Sequence, residues 1–232
     1  MQTQQYAPGR SVDVFGQPTD PTVLVWHGTQ TDARSTVGSL ADQLAGHGLR
    51  VVVPDWDSHA ADRGRADLLN SVEFAQSDAS GPLAVVGWSL GAVAAAGLAI
   101  RADEYNVALR HVVGLGGAFM VRDPLSGETL GPQLRTARVG APFTLLHGVD
   151  DDVVPVTASR AFAADLQAVG WPVRVVELAA DHGNIAGAQY NSAQDRYEPT
   201  SDPDTRRVVT EVAGHIAEAL ADPPPAPHAL RS

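Results

Sequence analysis

Five residues, Gly87-Trp88-Ser89-Leu90-Gly91, constrain this chain more than any other stretch. They form a G-x-S-x-G pattern directly after the apolar run Leu83-Ala84-Val85-Val86. The positions that follow, Ala92, Ala94, Ala95, Ala96 and Gly97, are nearly all small. A strand that turns into a helix at such a pattern holds its serine in a strained conformation, with the hydroxyl out above the sheet. Glycines flank the turn because a side chain there would collide with neighbouring backbone. The small residues let the helix approach the sheet closely.

The rest of the chain supplies the surroundings such an elbow needs. Strand-length apolar runs alternate with Ala/Leu-rich stretches of helical period. Strands are expected at Ser11–Phe15, Val23–Trp26, Leu49–Val53, Leu83–Val86, Arg110–Leu115, Pro142–His147 and Pro172–Leu178. Helices are expected at Ser35–His47, Arg65–Gln76, Leu90–Arg101, Val156–Val169 and Thr205–Leu220. Runs such as Val51-Val52-Val53 are apolar on both faces, as strands covered by helices on both sides are. The order therefore specifies an α/β fold, a doubly wound and mostly parallel sheet with helices on both faces. Ligands bind such sheets beyond the carboxyl ends of the strands, so chemical residues belong just after strands. Gly117–Arg138 and Gly183–Asp204 lack periodicity and read as long loops. One domain is expected over residues 1–222, with a Pro-rich, disordered tail at 223–232.

Charge and composition remove several classes of function. The net charge of −11 opposes nucleic acid and anionic membranes as partners. Without cysteine there is no disulfide framework, no thiolate nucleophile and no Cys-ligated zinc. The start, Met1 to Arg10, lacks the apolar stretch of a signal peptide, and no apolar run has the length of a membrane span. A cytoplasmic protein without cofactor or metal is the expectation, its oligomeric state left open.

A serine hydroxyl needs a base, and the base needs a carboxylate to orient it. Of the histidines after Ser89, His182 in Ala180-Asp181-His182-Gly183 follows a strand, where a base belongs. His111 opens a strand, His147 ends one, His215 falls inside the last helix and His228 lies in the tail; these read as structural or surface residues. The acid should follow Pro142–His147, where Asp150, Asp151 and Asp152 stand in a row. Spacing from Gly148 and Val154-Pro155 favours Asp151, with Asp152 and Asp150 behind it. The losing two read as a solvated turn or a helix cap. For an oxyanion, the N–H of Leu90 is one donor by the geometry of the elbow. The second is assigned to Thr29, in the loop His27-Gly28-Thr29-Gln30 after an early strand. His27 itself reads as a structural hydrogen-bonding residue. Trp88, Trp56, Phe119, Met120 and Ile185 lie in segments expected to line a substrate cleft; Asp55, Asp57 and His59, after the strand Leu49–Val53, read as solvated loop positions, with the pocket lining as the alternative.

In order, His27-Gly28, Gly87-x-Ser89-x-Gly91, His147-Gly148-x-x-Asp151-x-x-Val154-Pro155 and Asp181-His182-Gly183 resemble the α/β-hydrolase superfamily, over about Ser11 to Leu220. Within it the chain is similar to small carboxylesterases and dienelactone-hydrolase-like proteins. Tyr6 to Phe15 also looks like the start of acetylesterase-type members. Two departures stand out. Those relatives carry a His-Gly-Gly-Gly oxyanion loop where this chain has His27-Gly28-Thr29-Gln30, and Gly116 to Ala141 leaves too little chain for a full cap domain. The serine at the elbow also excludes the haloalkane-dehalogenase subtype, which carries aspartate there. The resemblance implies a serine esterase acting on small-molecule carboxylic esters of short to medium acyl chain through an acyl-enzyme. An acyltransferase or perhydrolase using the same residues, and a non-catalytic binding scaffold, are the alternatives.

Overall fold

The computed structural model describes residues 1–221. The tail at 223–232 lies outside the described residues. In chain order the elements are β1 (Gln2–Ala7), β2 (Arg10–Phe15), β3 (Thr22–Trp26), α1 (Gly38–Gly46), β4 (Arg50–Pro54), α2 (Arg65–Ser77), β5 (Leu83–Trp88) and α3 (Leu90–Ile100). The second half adds β6 (Leu109–Leu115), α4 (Leu130–Leu134), β7 (Phe143–Gly148), α5 (Thr157–Ala168), β8 (Val173–Leu178), β9 (Ala188–Asn191), β10 (Arg196–Pro199) and α6 (Pro203–Ala221).

Eight strands form one sheet in the order β1-β2-β4-β3-β5-β6-β7-β8. From β4 to β8 every neighbouring pair is parallel, whereas β1 and β2 run antiparallel at one edge. Alternation along the central strands divides the interior in two. In β3, Leu24 and Trp26 pack with α2, α3 and α5, while Val23 and Val25 pack on the other face with α1 and α6. Leu24 is wholly buried, and truncating it to alanine is expected to cost about 2–5 kcal/mol. α3 has Ala92, Ala94, Ala95, Ala96 and Gly97 all buried. Its backbone therefore lies close on the sheet at the central strand β5.

The structure adds elements where the sequence reads as irregular. β1 is mostly exposed, and its Gln2, Gln4 and Gln5 carry no apolar face; it is held by backbone pairing with β2 and by Tyr6, which packs on the core and donates to the Asp55 carbonyl. Within Gly117–Arg138 a five-residue helix, α4, buries Leu130 and Leu134. The segment Gly183–Asp204, read as a loop, holds a 3₁₀ turn at Asn184–Ala186 and the antiparallel hairpin β9–β10. Each piece is too short to show a period.

Candidate active site

The turn between β5 and α3 is tight because two close approaches force it. A Cβ on Gly87 would lie 2.1 Å from the Gly91 carbonyl oxygen, and one on Gly91 would lie 2.5 Å from the His27 carbonyl oxygen. Between them Ser89 adopts φ 55°, ψ −116°. A non-glycine residue held there costs about 1–3 kcal/mol, which the surrounding packing must offset. The Ser89 N–H donates to the Leu115 carbonyl (2.9 Å), and its own carbonyl accepts from Ala92 N–H (3.1 Å). Both ends of the residue are thus fixed, and Leu90 follows as the first residue of α3, where backbone N–H groups have no intrahelical acceptor.

Two loops from neighbouring strands meet the serine. His182 follows β8 and is almost fully buried. Its Nε2 is 3.1 Å from Ser89 Oγ, and its Nδ1 is 2.7 Å from Asp151 Oδ2. Asp151 stands in the turn after β7, with its side chain buried, while Asp150 and Asp152 are exposed. Its other oxygen, Oδ1, accepts the N–H groups of Val153 (3.0 Å) and Val154 (2.7 Å). Burial pushes the Asp151 carboxyl up, but donors from His147, His182 and Val154 outweigh it and hold the group well below the usual carboxylate range. An ionised Asp151 can only accept, so Nδ1 of His182 carries the proton and Nε2 is left to accept from the serine hydroxyl. Such a relay can take a proton from Ser89 and stabilise the charge that results.

The two loops hold one another in register. Val149 N–H donates to the Leu178 carbonyl (2.9 Å), and Asp150 N–H to that of Ala180 (3.1 Å). Gly148 is required there, since a Cβ would fall 2.0 Å from the Ala180 carbonyl oxygen. The Trp88 indole N–H donates to the His182 carbonyl (2.8 Å), tying the loop after β8 to the elbow.

The remaining candidates separate into cleft and core. A Cβ on Gly28 would lie 3.1 Å from Ser89 Cβ, which places the loop after β3 against the serine, with Thr29 exposed. His27 is wholly buried; its Nδ1 bonds the Gly28 carbonyl (2.9 Å), and its Nε2 accepts from Ala33 and Trp56 N–H groups (both 3.3 Å). Desolvation pushes it down to about 4. Three aromatic or aliphatic residues expected in the cleft belong instead to the interior. Trp56 stacks on His27, Ile185 packs with α1 and α6, and Trp88 is nearly inaccessible. Phe119 is mostly buried and stacks on Phe162, centroids 4.2 Å apart, whereas Met120 is exposed. Large apolar side chains near the sheet are drawn into its cores before they serve a cleft. Asp55 also departs from its reading: it is buried and ion-paired to Arg34, while Asp57 and His59 bond exposed Thr31.

One neighbour of the site was not singled out from sequence. Tyr197 on β10 stands edge-on to Trp88 (5.1 Å) and 5.8 Å from the His182 ring. The side-chain amide of Gln30 pairs with its backbone, accepting from Tyr197 N–H (2.5 Å) and donating to the Tyr197 carbonyl (3.2 Å). The available signal was two tyrosine-bearing runs around the polar stretch Asn191-Ser192-Ala193-Gln194-Asp195, a hairpin pattern without apolar alternation. Beside His182 the hairpin walls a cleft of about 620 Å³, whose lining includes Tyr190, Tyr197 and the carboxylates of Asp150, Asp152, Asp181, Asp202 and Asp204.

No family model matches the chain. It is 34% identical over 161 residues to the uncharacterized proteins Rv2307c and MT2364 from two strains of Mycobacterium tuberculosis, covering 62% of this chain. The match spans 57% of the length of each of those relatives. Among solved structures, the propionate-bound thermophilic esterase Est2 of the planctomycete Thermogutta terrifontis superposes with a TM-score of 0.69 at 14% identity, over 95% of this chain and 94% of that one. The same esterase phosphonylated by cyclosarin gives 0.71 at 15% identity, with the same coverage. The chain has the α/β-hydrolase fold. In the α/β-hydrolase sheet the elbow follows the central strand, as it follows β5 here, and the chain order is serine, acid, histidine. Among the described residues, no helix is long and apolar enough to cross a membrane.

Proposed function

We propose that the protein is a serine hydrolase that cleaves carboxylic esters of short to medium acyl chain. The observation that carries this reading is the continuous relay from Ser89 through His182 to Asp151, at 3.1 and 2.7 Å, on a strained elbow. Ser89 attacks the ester carbonyl as His182 takes its proton. The tetrahedral oxyanion is held by the N–H groups of Leu90 and Thr29, and collapse expels the alcohol with a proton from His182. His182 then activates water to free the acid, while Asp151 keeps the imidazole oriented through both steps. Support comes also from the neighbours in fold, an esterase seen with propionate and with butyrate and phosphonylated by cyclosarin. The row of aspartates beside His182 disfavours anionic substrates and directs the choice to neutral esters.

The test is hydrolysis of p-nitrophenyl esters from acetate to octanoate by the parent and by Ser89→Ala, with a fluorophosphonate label followed by mass spectrometry. Turnover lost in the variant, with the label on Ser89 of the parent, is the expected result. Turnover that survives in Ser89→Ala refutes the reading. A folded parent without turnover on any ester transfers weight to acyl transfer or to a scaffold role.

A further inference from the structure

A second histidine meets the same carboxylate oxygen as His182. His147, the penultimate residue of β7, is wholly buried, and its Nε2 lies 3.4 Å from Asp151 Oδ2 and 2.9 Å from the Val154 carbonyl. A carbonyl can only accept, so Nε2 carries a proton that points into this corner. On the far side of the ring, Nδ1 is 2.7 Å from the hydroxyl of Ser159, a wholly buried residue on α5. The ring therefore spans from a rigid helix to the acid turn. Val154 links the two: its N–H donates to Asp151 Oδ1, and its carbonyl accepts from His147.

The two carboxylate oxygens are held differently. Oδ1 is fixed by two N–H groups of its own turn. Oδ2 faces two imidazoles, and one of them must change its charge during proton transfer while the other need not. We infer that His147 is a positioning residue: it holds Asp151 Oδ2 in line with His182 Nδ1 without meeting substrate. The inference rests on the reading of Ser89, His182 and Asp151 given above. A ring that braces the acid changes the chemical step and leaves substrate binding alone, because misplacement of a relay by about 1 Å can cost on the order of 100-fold.

The test compares two side chains of similar polarity. Glutamine at 147 reaches toward the Nε2 position and restores a donor to Val154 and Asp151; asparagine reaches only the Ser159 side. His147→Asn is expected to lower kcat about 10- to 100-fold with KM little changed, and His147→Gln to recover most of it. The low-field proton resonance of His182 Nδ1–H, read by NMR, should persist in the parent and the Gln variant and shift in the Asn variant. That resonance does not need turnover, so it reads the brace even if no ester is hydrolysed, and Ser89→Ala separates the two questions by abolishing hydrolysis with the resonance kept. Equal kcat and an unmoved resonance in the Asn and Gln variants would overturn the inference. If His147→Asn does not fold, Ser159→Ala removes the anchor on α5 instead. A shifted resonance with kcat down about threefold then supports the brace, and an unmoved resonance overturns it.

Discussion

His27 and His182 are both buried histidines beyond the carboxyl ends of strands, yet their partners are opposite in kind. His27 is enclosed by main chain: two N–H groups donate to its Nε2 and a carbonyl accepts from its Nδ1. It has nowhere to place a second proton, and desolvation takes it down to about 4. His182 has a carboxylate on one nitrogen and a hydroxyl on the other. Burial and position alone do not equip a ring to act as a base. A counter-charge that stabilises the protonated ring, and a partner able to give up its proton, do.

The largest effect expected from that contrast lies at Asp151. Asp151→Asn replaces an acceptor by a group that no longer fixes the tautomer of His182, and kcat should fall about 10⁴-fold. Asp150→Asn and Asp152→Asn, at exposed positions, should stay within about twofold, as surface substitutions do. A loss at Asp152 equal to that at Asp151, measured on the same ester, would break the comparison by giving His182 a different partner. His27 should fail in another way. His27→Phe leaves the Ala33 and Trp56 N–H groups without an acceptor, at an expected total of about 2–5 kcal/mol, read as a lower urea midpoint.

Acid provides a third way to separate the two rings. The unfolded His27 ring titrates near 6.5 and the folded one at about 4, so between those values the unfolded chain binds more protons. Stability is therefore complete above 6.5 and declines as pH falls, with roughly 3 kcal/mol lost by pH 4. Asp151 acts in the same sense at lower pH. Its folded value is held below the ordinary 3.8, so its contribution disappears only as pH drops below that point. Denaturation midpoints followed from pH 7 to 4 should slope in the parent and lie flatter in His27→Gln. Equal slopes would mean that His27 does not remain neutral in the fold.

Much of this arrangement is legible in the sequence, and the reasons differ by region. The parallel strands β3 to β7 announce themselves because buried strands are apolar on both faces, and the elbow because its glycines are required by close backbone approach. The neighbours of the relay were harder to read. Trp56 and Ile185 carry the same apolar signal whether they face a cleft or a core, and packing decided for the core. His147 ends its strand as a structural histidine would, and its contact with Asp151 depends on a turn whose path no spacing rule gives. The β9–β10 hairpin has only Ala188 fully buried and Tyr197 packed on the core, too few apolar positions in four-residue strands to show an alternation.

That hairpin supports the smallest prediction. Gln30 belongs to the loop of His27 and Thr29, while Tyr197 belongs to the cover beside His182, so their pairing is where the two compared regions touch. The Gln30 amide accepts one hydrogen bond and donates another, as a neighbouring strand would. Gln30→Ala removes both, and a net loss of about 1–2 kcal/mol is expected to act locally rather than on the whole fold. Exchange of the Tyr197 amide proton should then quicken about tenfold while protection in β5 stays as it was. KM for longer acyl esters should rise a few-fold with kcat held, because the change touches the cleft wall and spares the relay. Unchanged exchange at Tyr197 would assign the hairpin's hold to the Trp88 ring contact, and the loop of His27 would then have no part in shaping the cleft.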